Sequence, residues 1–432
     1  MTLTAWAATA IFAGAYVLIA TEWVHRIGVV MTGAILMFVI GATDDHKAFF
    51  SAETGIEWNV IFLLMGMMLI VAVLKRTGIF EYLAIWAAKL AKGRPFRVMV
   101  ILVLVTAIAS AALDNVTTVL LIVPMTFVVC ERMDVPVWPF IIAEVLASNI
   151  GGASTLVGDP PNIIIAGQGD LSFNDFLVHM APIVVLLVVA HVGLCWWLFR
   201  KFLRYDPDRV EAIMAMKERD AIQNRRLLVI SLAVLALVLA AFVLHTVLHV
   251  NPSVVAMIGG LALFGLSRLP GEQVFADVEW QTLAFFAGLF IMVGSLVNTG
   301  VIAQIAGAAS DAVGDNLLGA SMLLLWASAF LSAIVDNIPY VATMSPIVGQ
   351  LVDGAGNTSQ SQVLWWSLAF GADLGGNATA IGASANVVAL GIAAKSGYKI
   401  SFWQFTKYGI VVTVVTILIV MPYLWLRYFV LA

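Results

Sequence analysis

Ser110-Ala111-Ala112-Leu113-Asp114-Asn115-Val116-Thr117-Thr118 and, far downstream, Ser332-Ala333-Ile334-Val335-Asp336-Asn337-Ile338-Pro339-Tyr340 are two versions of one motif. Asp336 follows Asp114 by 222 positions (336 − 114), and Pro346 follows Pro124 at the same spacing. Each Asp-Asn pair lies in apolar sequence long enough to enter a membrane. A carboxylate there is costly and marks a functional site by default. Two of them, in corresponding places of a duplicated chain, point to a transport site.

The duplication extends beyond the motif. Glu57-Trp58 recurs as Glu279-Trp280, Gly66 as Gly288, and Thr77-Gly78 as Thr299-Gly300, all at the 222-residue spacing. A second pair of segments runs from Asn149 through Gly151-Gly152, Ser154-Thr155 and Gly158-Asp159-Pro160-Pro161 to Asn162. Its copy runs from Asp373 through Gly375-Gly376-Asn377, Thr379 and Gly382 to Ser384 and Asn386, shifted by two more positions (373 − 149 = 224). Repetition on this scale reads as two structural repeats.

Composition sets the solvent. The 432 residues are 62% hydrophobic and 11% charged, with mean hydropathy +1.01, against about 45–50% and about 25% in soluble domains. That excludes an ordinary soluble globule and describes a polytopic membrane protein, whose expected location is a prokaryotic inner membrane. The net charge of −4 includes no basic stripe for nucleic acid. The run from Ala5 to Ala20 has no basic residue before it and reads as a first transmembrane helix rather than a signal peptide. Cys130 and Cys195 stand alone in apolar runs, as small packing residues. No metal site beyond the transported solute and no bound cofactor is expected.

Runs near twenty residues mark spans: 4–21, 27–42, 58–74, 98–113, 119–130, 138–150 and 179–199, then 227–248, 253–267, 280–297, 319–335, 341–352, 363–374 and 408–429. The pairs broken at Asp-Asn read as re-entrant hairpins, because non-helical backbone at membrane depth must line a protein-covered or watery site. Between the halves, 200–226 carries eight Lys and Arg residues from Arg200 to Arg226. The positive-inside rule makes it cytoplasmic. The uncharged start, Met1 to Trp6, favours an external N-terminus. The expected architecture is all-α: a first repeat over 1–199, a cytoplasmic linker over 200–226 and an inverted second repeat over 227–432. Each repeat would hold scaffold helices, a re-entrant hairpin and a broken helix.

Glycines at 151, 152, 375 and 376, with the prolines at 160 and 161, describe helices that unwind in mid-membrane, the best sequence pointer to a transporter site. Packing is the competing reading of the glycines, most of all for Gly66 and Gly288. Asn115, Thr117, Thr118 and Asn337 at the tips form a set of neutral donors and acceptors with Asn149, Ser154, Thr155, Asn377, Thr379 and Ser384 at the breaks. No Lys or Arg belongs to the motifs, which suits a neutral polyhydroxyl solute or a small ion held by dipoles and weakens the case for an anion. Asp114 and Asp336 read as proton carriers, cation ligands or helix caps. Asp159, Asp373 and Glu144 are further coupling candidates. The histidines read as packing groups, and no phosphate-binding loop indicates direct use of ATP. No nucleophile, base and orienting group occur together as in an enzyme.

At Asp114-Asn115-Val116-Thr117-Thr118, the run from Ser148 to Asn162, Asp336-Asn337-Ile338-Pro339, and Gly371 to Asn386, the chain resembles the ion transporter superfamily, in its ArsB and P-protein branch. The resemblance implies a scaffold and a transport part in each half and elevator-like alternating access. It implies proton-coupled efflux of arsenite or antimonite as the activity, with a sodium/proton antiporter or an anion or carboxylate carrier as alternatives. The dicarboxylate carriers of the superfamily have Ser-Asn-Thr where this chain has Asp-Asn-Val and Asp-Asn-Ile. The partners implied are a small inorganic solute, H⁺ or Na⁺, and the bilayer. The linker suits either docking of a soluble ATPase or a plain connection, and the oligomeric state stays open.

Overall fold

In the computed structural model, residues 2–21, 24–51, 53–313 and 316–431 are described. Met1, part of the uncharged start, lies outside them. The first half runs α1 (Leu3–Thr21), α2 (Arg26–Val39), α3 (Asp45–Phe50), α4 (Trp58–Lys75), α5 (Ile79–Leu90), α6 (Pro95–Ala112), α7 (Asn115–Met133), α8 (Trp138–Gly152), α9 (Pro160–Gly169), α10 (Phe173–His179) and α11 (Ala181–Phe199). The short α12 (Val210–Met214) lies in the connecting segment. The second half runs α13 (Arg225–Val243), α14 (His245–Leu248), α15 (Pro252–Ser267), α16 (Gly271–Ala276), α17 (Trp280–Asn298), α18 (Val301–Val313), α19 (Leu317–Ile334), α20 (Asn337–Gly354), α21 (Val363–Gly375), α22 (Ser384–Lys395) and α23 (Phe402–Trp425). Among the described residues there is no strand, and eight helices are long and apolar enough to cross a membrane.

The helices repeat with the motifs. α1 matches α13, α4 matches α17, α5 matches α18, α6 matches α19 and α7 matches α20, each at the 222-residue spacing. Packing repeats too: α2 lies on α17 as α15 lies on α4, and α6 on α8 as α19 on α21. The end of α4 fixes the direction of the repeats. Lys75 and Arg76 there pair with Asp277, just before α17, at 3.1 and 2.6 Å. The end of one helix and the start of its mate therefore lie on one face, so the repeats run in opposite senses.

Local chemistry explains the breaks. The Asp114 side chain accepts from the Thr117 amide at 2.7 Å and starts α7, two residues after α6 has ended. Asp336 does the same for α20 through the Ile338 amide at 3.1 Å. Capping anchors a helix start that would otherwise leave amides unpaired inside the membrane. After α8 the chain leaves the helix at Ala153 and resumes at Pro160, where a missing N–H costs nothing. Four elements were too short or too broken to read as spans from hydropathy: α5, α9, α18 and α22. The first and third pack on the hairpins, and the other two are the second halves of the broken helices.

Candidate transport site

Each hairpin tip is stitched to the break of its own repeat by matched bonds. The Asn115 amide donates to the Gly158 carbonyl at 3.1 Å, and the Asn337 amide to Gly382 at 3.2 Å. Ser110 Oγ donates to the Ser148 carbonyl and Ser332 Oγ to Ala372, both at 2.7 Å. Thr155 Oγ1 donates to the Ala111 carbonyl and Thr379 Oγ1 to Ala333, both at 2.6 Å. Asn162 Nδ2 closes the first break on the Thr155 carbonyl at 3.1 Å, as Asn386 closes the second on Thr379 at 2.8 Å.

The two repeats meet through amides. Asn149 Nδ2 donates to Asn377 Oδ1 at 2.9 Å and to Asn386 Oδ1 at 3.0 Å. Asn115 Nδ2 donates to Asn149 Oδ1 at 3.1 Å and to Asp159 Oδ2 at 2.9 Å, while Asn337 Nδ2 reaches Asp159 Oδ1 at 3.4 Å. Asn115, Asn149, Asp159, Asn337, Asp373 and Asn377 are all 0–2% exposed. Each half's hairpin limb also leans on the other half's broken helix, α7 on α22 and α20 on α9. The sequence candidates from both repeats thus converge on one centre.

Several candidates do not face it. Gly151 and Gly375 meet the ascending hairpin limbs: a Cβ on either would stand 2.3 Å from the Ala107 carbonyl oxygen or 2.5 Å from that of Ala329. Gly152 and Gly376 close on Gly158 and Gly382 across the breaks in the same way. The hydroxyls of Ser154, Thr155 and Thr379 are spent on backbone carbonyls. Buried Glu144 accepts from Thr126 Oγ1 at 2.8 and 2.9 Å and lines none of the cavities described below. Gly66 packs against the Ala256 backbone and Gly288 against Val30, the packing reading of that pair.

A cavity of about 550 Å³ reaches the first hairpin tip beside this centre, lined by Asp114, Arg26, Glu279, Thr282, Ser384 and Pro160, with Leu64, Met68 and Phe285 among its apolar walls. Residues 276–282 border it, around the Asp277 that pairs with Lys75 and Arg76. The nearby Thr77 carbonyl accepts from the amide of Gln223, in the connecting segment, at 3.0 Å. The cavity therefore opens on the face that carries this segment. A neighbouring cavity of about 310 Å³ holds Asp336 with Arg26, His25 and Ser384. At the opposite end of α4 a third, of about 360 Å³, contains Glu57, Asp170 and His245 but neither hairpin-tip carboxylate.

Two of these groups were missed by reading the motifs. Arg26 is the first residue of α2, outside both repeated motifs, yet its Nη1 donates to Ser384 Oγ at 2.8 Å and lies 3.7 Å from Asp336 Oδ2. Glu279 entered only as a marker of the repeat, and it holds Thr282 Oγ1 at 2.9 Å inside the largest of the three cavities. The usable signal was position: a charged residue at the mouth of an apolar run.

Two inverted repeats, their hairpins and broken helices meeting at a buried polar centre beside a cavity open to one face, define a multi-pass secondary transporter of the membrane rather than an enzyme. A family model described as citrate transporter (CitMHS) matches residues 16–371, and the chain belongs to that family, within the ion transporter superfamily. An uncharacterized transporter of Mycobacterium tuberculosis is 54% identical over 98% of this chain and 99% of its own length. The human P protein is 32% identical over 96% of this chain, which spans 59% of that longer protein. The crystal structure of the Alcanivorax borkumensis YdaH transporter, described as having an unusual topology, shares the fold. Its TM-score is 0.58 over 99% of this chain and 98% of that one, at 14% identity.

Proposed function

We propose that this transporter is a proton-coupled exporter of a small uncharged polyhydroxy solute, arsenous acid or its antimony counterpart, as in the ArsB branch of the superfamily. The observation that carries the reading is the lining of the main cavity. Its walls present Asp114, Glu279, Thr282 and Ser384, with the bonded amides of Asn115 and Asn149 buried next to Asp114. The one guanidinium present, Arg26, is engaged with Asp336 and Ser384. A trihydroxy acid, neutral near neutral pH, meets donors and acceptors there without a charge penalty. A citrate-like polyanion meets two carboxylates at a few ångströms, where like charges repel. Asp114 and Asp336, with Asp159 and Asp373 behind them, are the carboxylates from which the proton-coupling group is drawn. Hairpins and broken helices move as the carrying body against α2, α4, α15 and α17. The segment 200–226 is assigned to the cytoplasm.

A second reading, carriage of a carboxylate, draws on the family description and on the 43% exposed Arg26 side chain. One experiment separates them. Everted vesicles carrying the full chain are given labelled arsenite or labelled citrate under an imposed pH gradient, with and without Na⁺, and with ATP depleted. Gradient-driven arsenite accumulation that ignores Na⁺ and ATP is the expected result. Citrate accumulation lost in Arg26→Gln would replace it with the carboxylate reading. Na⁺-dependent collapse of the pH gradient without either solute would replace it with antiport of the two ions.

A further inference from the structure

The two hairpin-tip carboxylates occupy equivalent positions, but their partners differ. Asp336 Oδ2 accepts from Ser384 Oγ at 2.5 Å, Ser384 Oγ accepts from Arg26 Nη1 at 2.8 Å, and the guanidinium stands 3.7 Å from the carboxylate. None of this exists around Asp114. At the 224-residue spacing the mate of Ser384 is Pro160, which has no hydroxyl. The residues of α15 and its approach that match Arg26, from Leu248 to Pro252, include no Arg or Lys.

The substitution runs the other way at the helix start. Asp114 accepts from the Thr117 amide at 2.7 Å and from Thr117 Oγ1 at 2.5 Å. The mate of Thr117 is Pro339, which offers neither donor. Asp114 is therefore held by neutral donors alone, whereas Asp336, held by Ser384 and the Ile338 amide, also has a guanidinium 3.7 Å away.

The charged surroundings are consistent with this division. Around Asp114, Glu279 lines the same cavity, and buried Asp159 lies behind it across Asn115. Lys75 and Arg76 approach from α4 but are committed to Asp277. Arg26 reaches the same cavity with its guanidinium turned to Asp336. Around Asp336, Arg26 is joined by His25 in the smaller cavity, by Asp159 across Asn337, and by the uncharged phenols of Tyr16 and Tyr340.

Resting on the proton-coupled reading above, we infer that Asp114 alone carries the coupling proton, while Arg26, acting through Ser384, holds Asp336 as a fixed anion. An opposite charge within about 4–6 Å favours the ionised form of a carboxylate. Asp336 then serves as a permanent helix cap and counter-ion. Asp114 takes a proton from water when the site faces the outside and gives it to water in the cavity seen here, which opens on the face of the connecting segment. Arg26 is a positioning residue: it sets which of two equivalent carboxylates titrates.

The deciding experiment needs no solute. The pH-difference infrared spectrum of the purified full-length protein is recorded for wild type, Asp114→Asn, Asp336→Asn, Arg26→Gln and the double variant R26Q/D336N. The expected result is a protonated-carboxyl band that titrates in wild type, is lost in Asp114→Asn and persists in Asp336→Asn. Arg26→Gln should add a second titrating band, and R26Q/D336N should remove it again. The double variant leaves no unpaired charge, so it keeps the comparison available if Asp336→Asn alone folds poorly. Loss of the wild-type band in Asp336→Asn or R26Q/D336N, or an Arg26→Gln profile identical to wild type, overturns the inference. Absence of arsenite transport by the wild type would overturn the proposed solute, while the infrared result would still decide between the two carboxylates.

Discussion

At the scale of single residues, glycines and hydroxyls that resemble solute ligands turn out to carry the architecture. A methyl at Gly151 would overlap the Ala107 backbone at 2.3–2.7 Å, and one at Gly375 the Ala329 backbone at 2.5–2.9 Å. Overpacking of this kind costs about 1–3 kcal/mol, and here the obstacle is main chain that cannot rotate away. Gly151→Ala and Gly375→Ala should each lower the thermal midpoint in detergent by several degrees, whereas Gly193→Ala, with open space around it, should not. Equal midpoints for all three would refute the packing role. The same lesson explains the limits of reading this site from sequence. Asp114, Asn115, Asn149 and Asn337 were legible because polar side chains at repeated positions in apolar sequence have few other purposes, and Asn377, whose counterpart is Ala153, because it stands in a repeated break. Thr155 and Thr379 repeat equally well, yet their hydroxyls hold the carbonyls of Ala111 and Ala333. Repetition identifies a paired position without revealing which way its side chain faces. Arg26 was missed by matching the repeats for the opposite reason, since it has no counterpart in the other half.

At the scale of elements, one tie between the two breaks is a side chain on α8. Asn149 Nδ2 bonds two acceptors of the second repeat, Asn377 and Asn386, at complete burial. Removing a buried donor leaves its acceptors unsatisfied at about 1–3 kcal/mol. Asn149→Ala should therefore both lower the midpoint and uncouple the halves, seen as faster amide exchange in α9 and α22. Wild-type exchange there would mean that the amide tie does not hold the halves together. The element boundaries themselves were largely legible. The expected spans 138–150 and 363–374 appear as α8 and α21, and both hairpins turn at their Asp-Asn pairs. The half-helices α9 and α22 were not, because ten or twelve residues of mixed polarity look like loop until a partner buries them.

At the scale of the whole molecule, the duplication and its inversion were both readable, the first from the constant spacing and the second from charge. The contacts of Lys75 and Arg76 with Asp277, and of Thr77 with Gln223, put the cavity mouth and the basic segment on one face. Cys130 and Cys195 are buried, so introduced thiols report topology without interference. Arg219→Cys in the connecting segment should react with a membrane-impermeant maleimide only after the cells are permeabilised. Thr358→Cys, beyond the outer end of α20, should react in intact cells. Labelling of both from one side would contradict the inverted arrangement.

A carrier whose halves were identical in every side chain would be degenerate. Its two orientations would be the same object turned over, equally populated whenever no gradient acts. This chain has exchanged Thr for Pro at 117 and 339, and Pro for Ser at 160 and 384, and has set one arginine beside only one of its carboxylates. Those differences lift the degeneracy. A carrier built this way rests in one orientation by preference, and its two half-cycles need not run at equal rates.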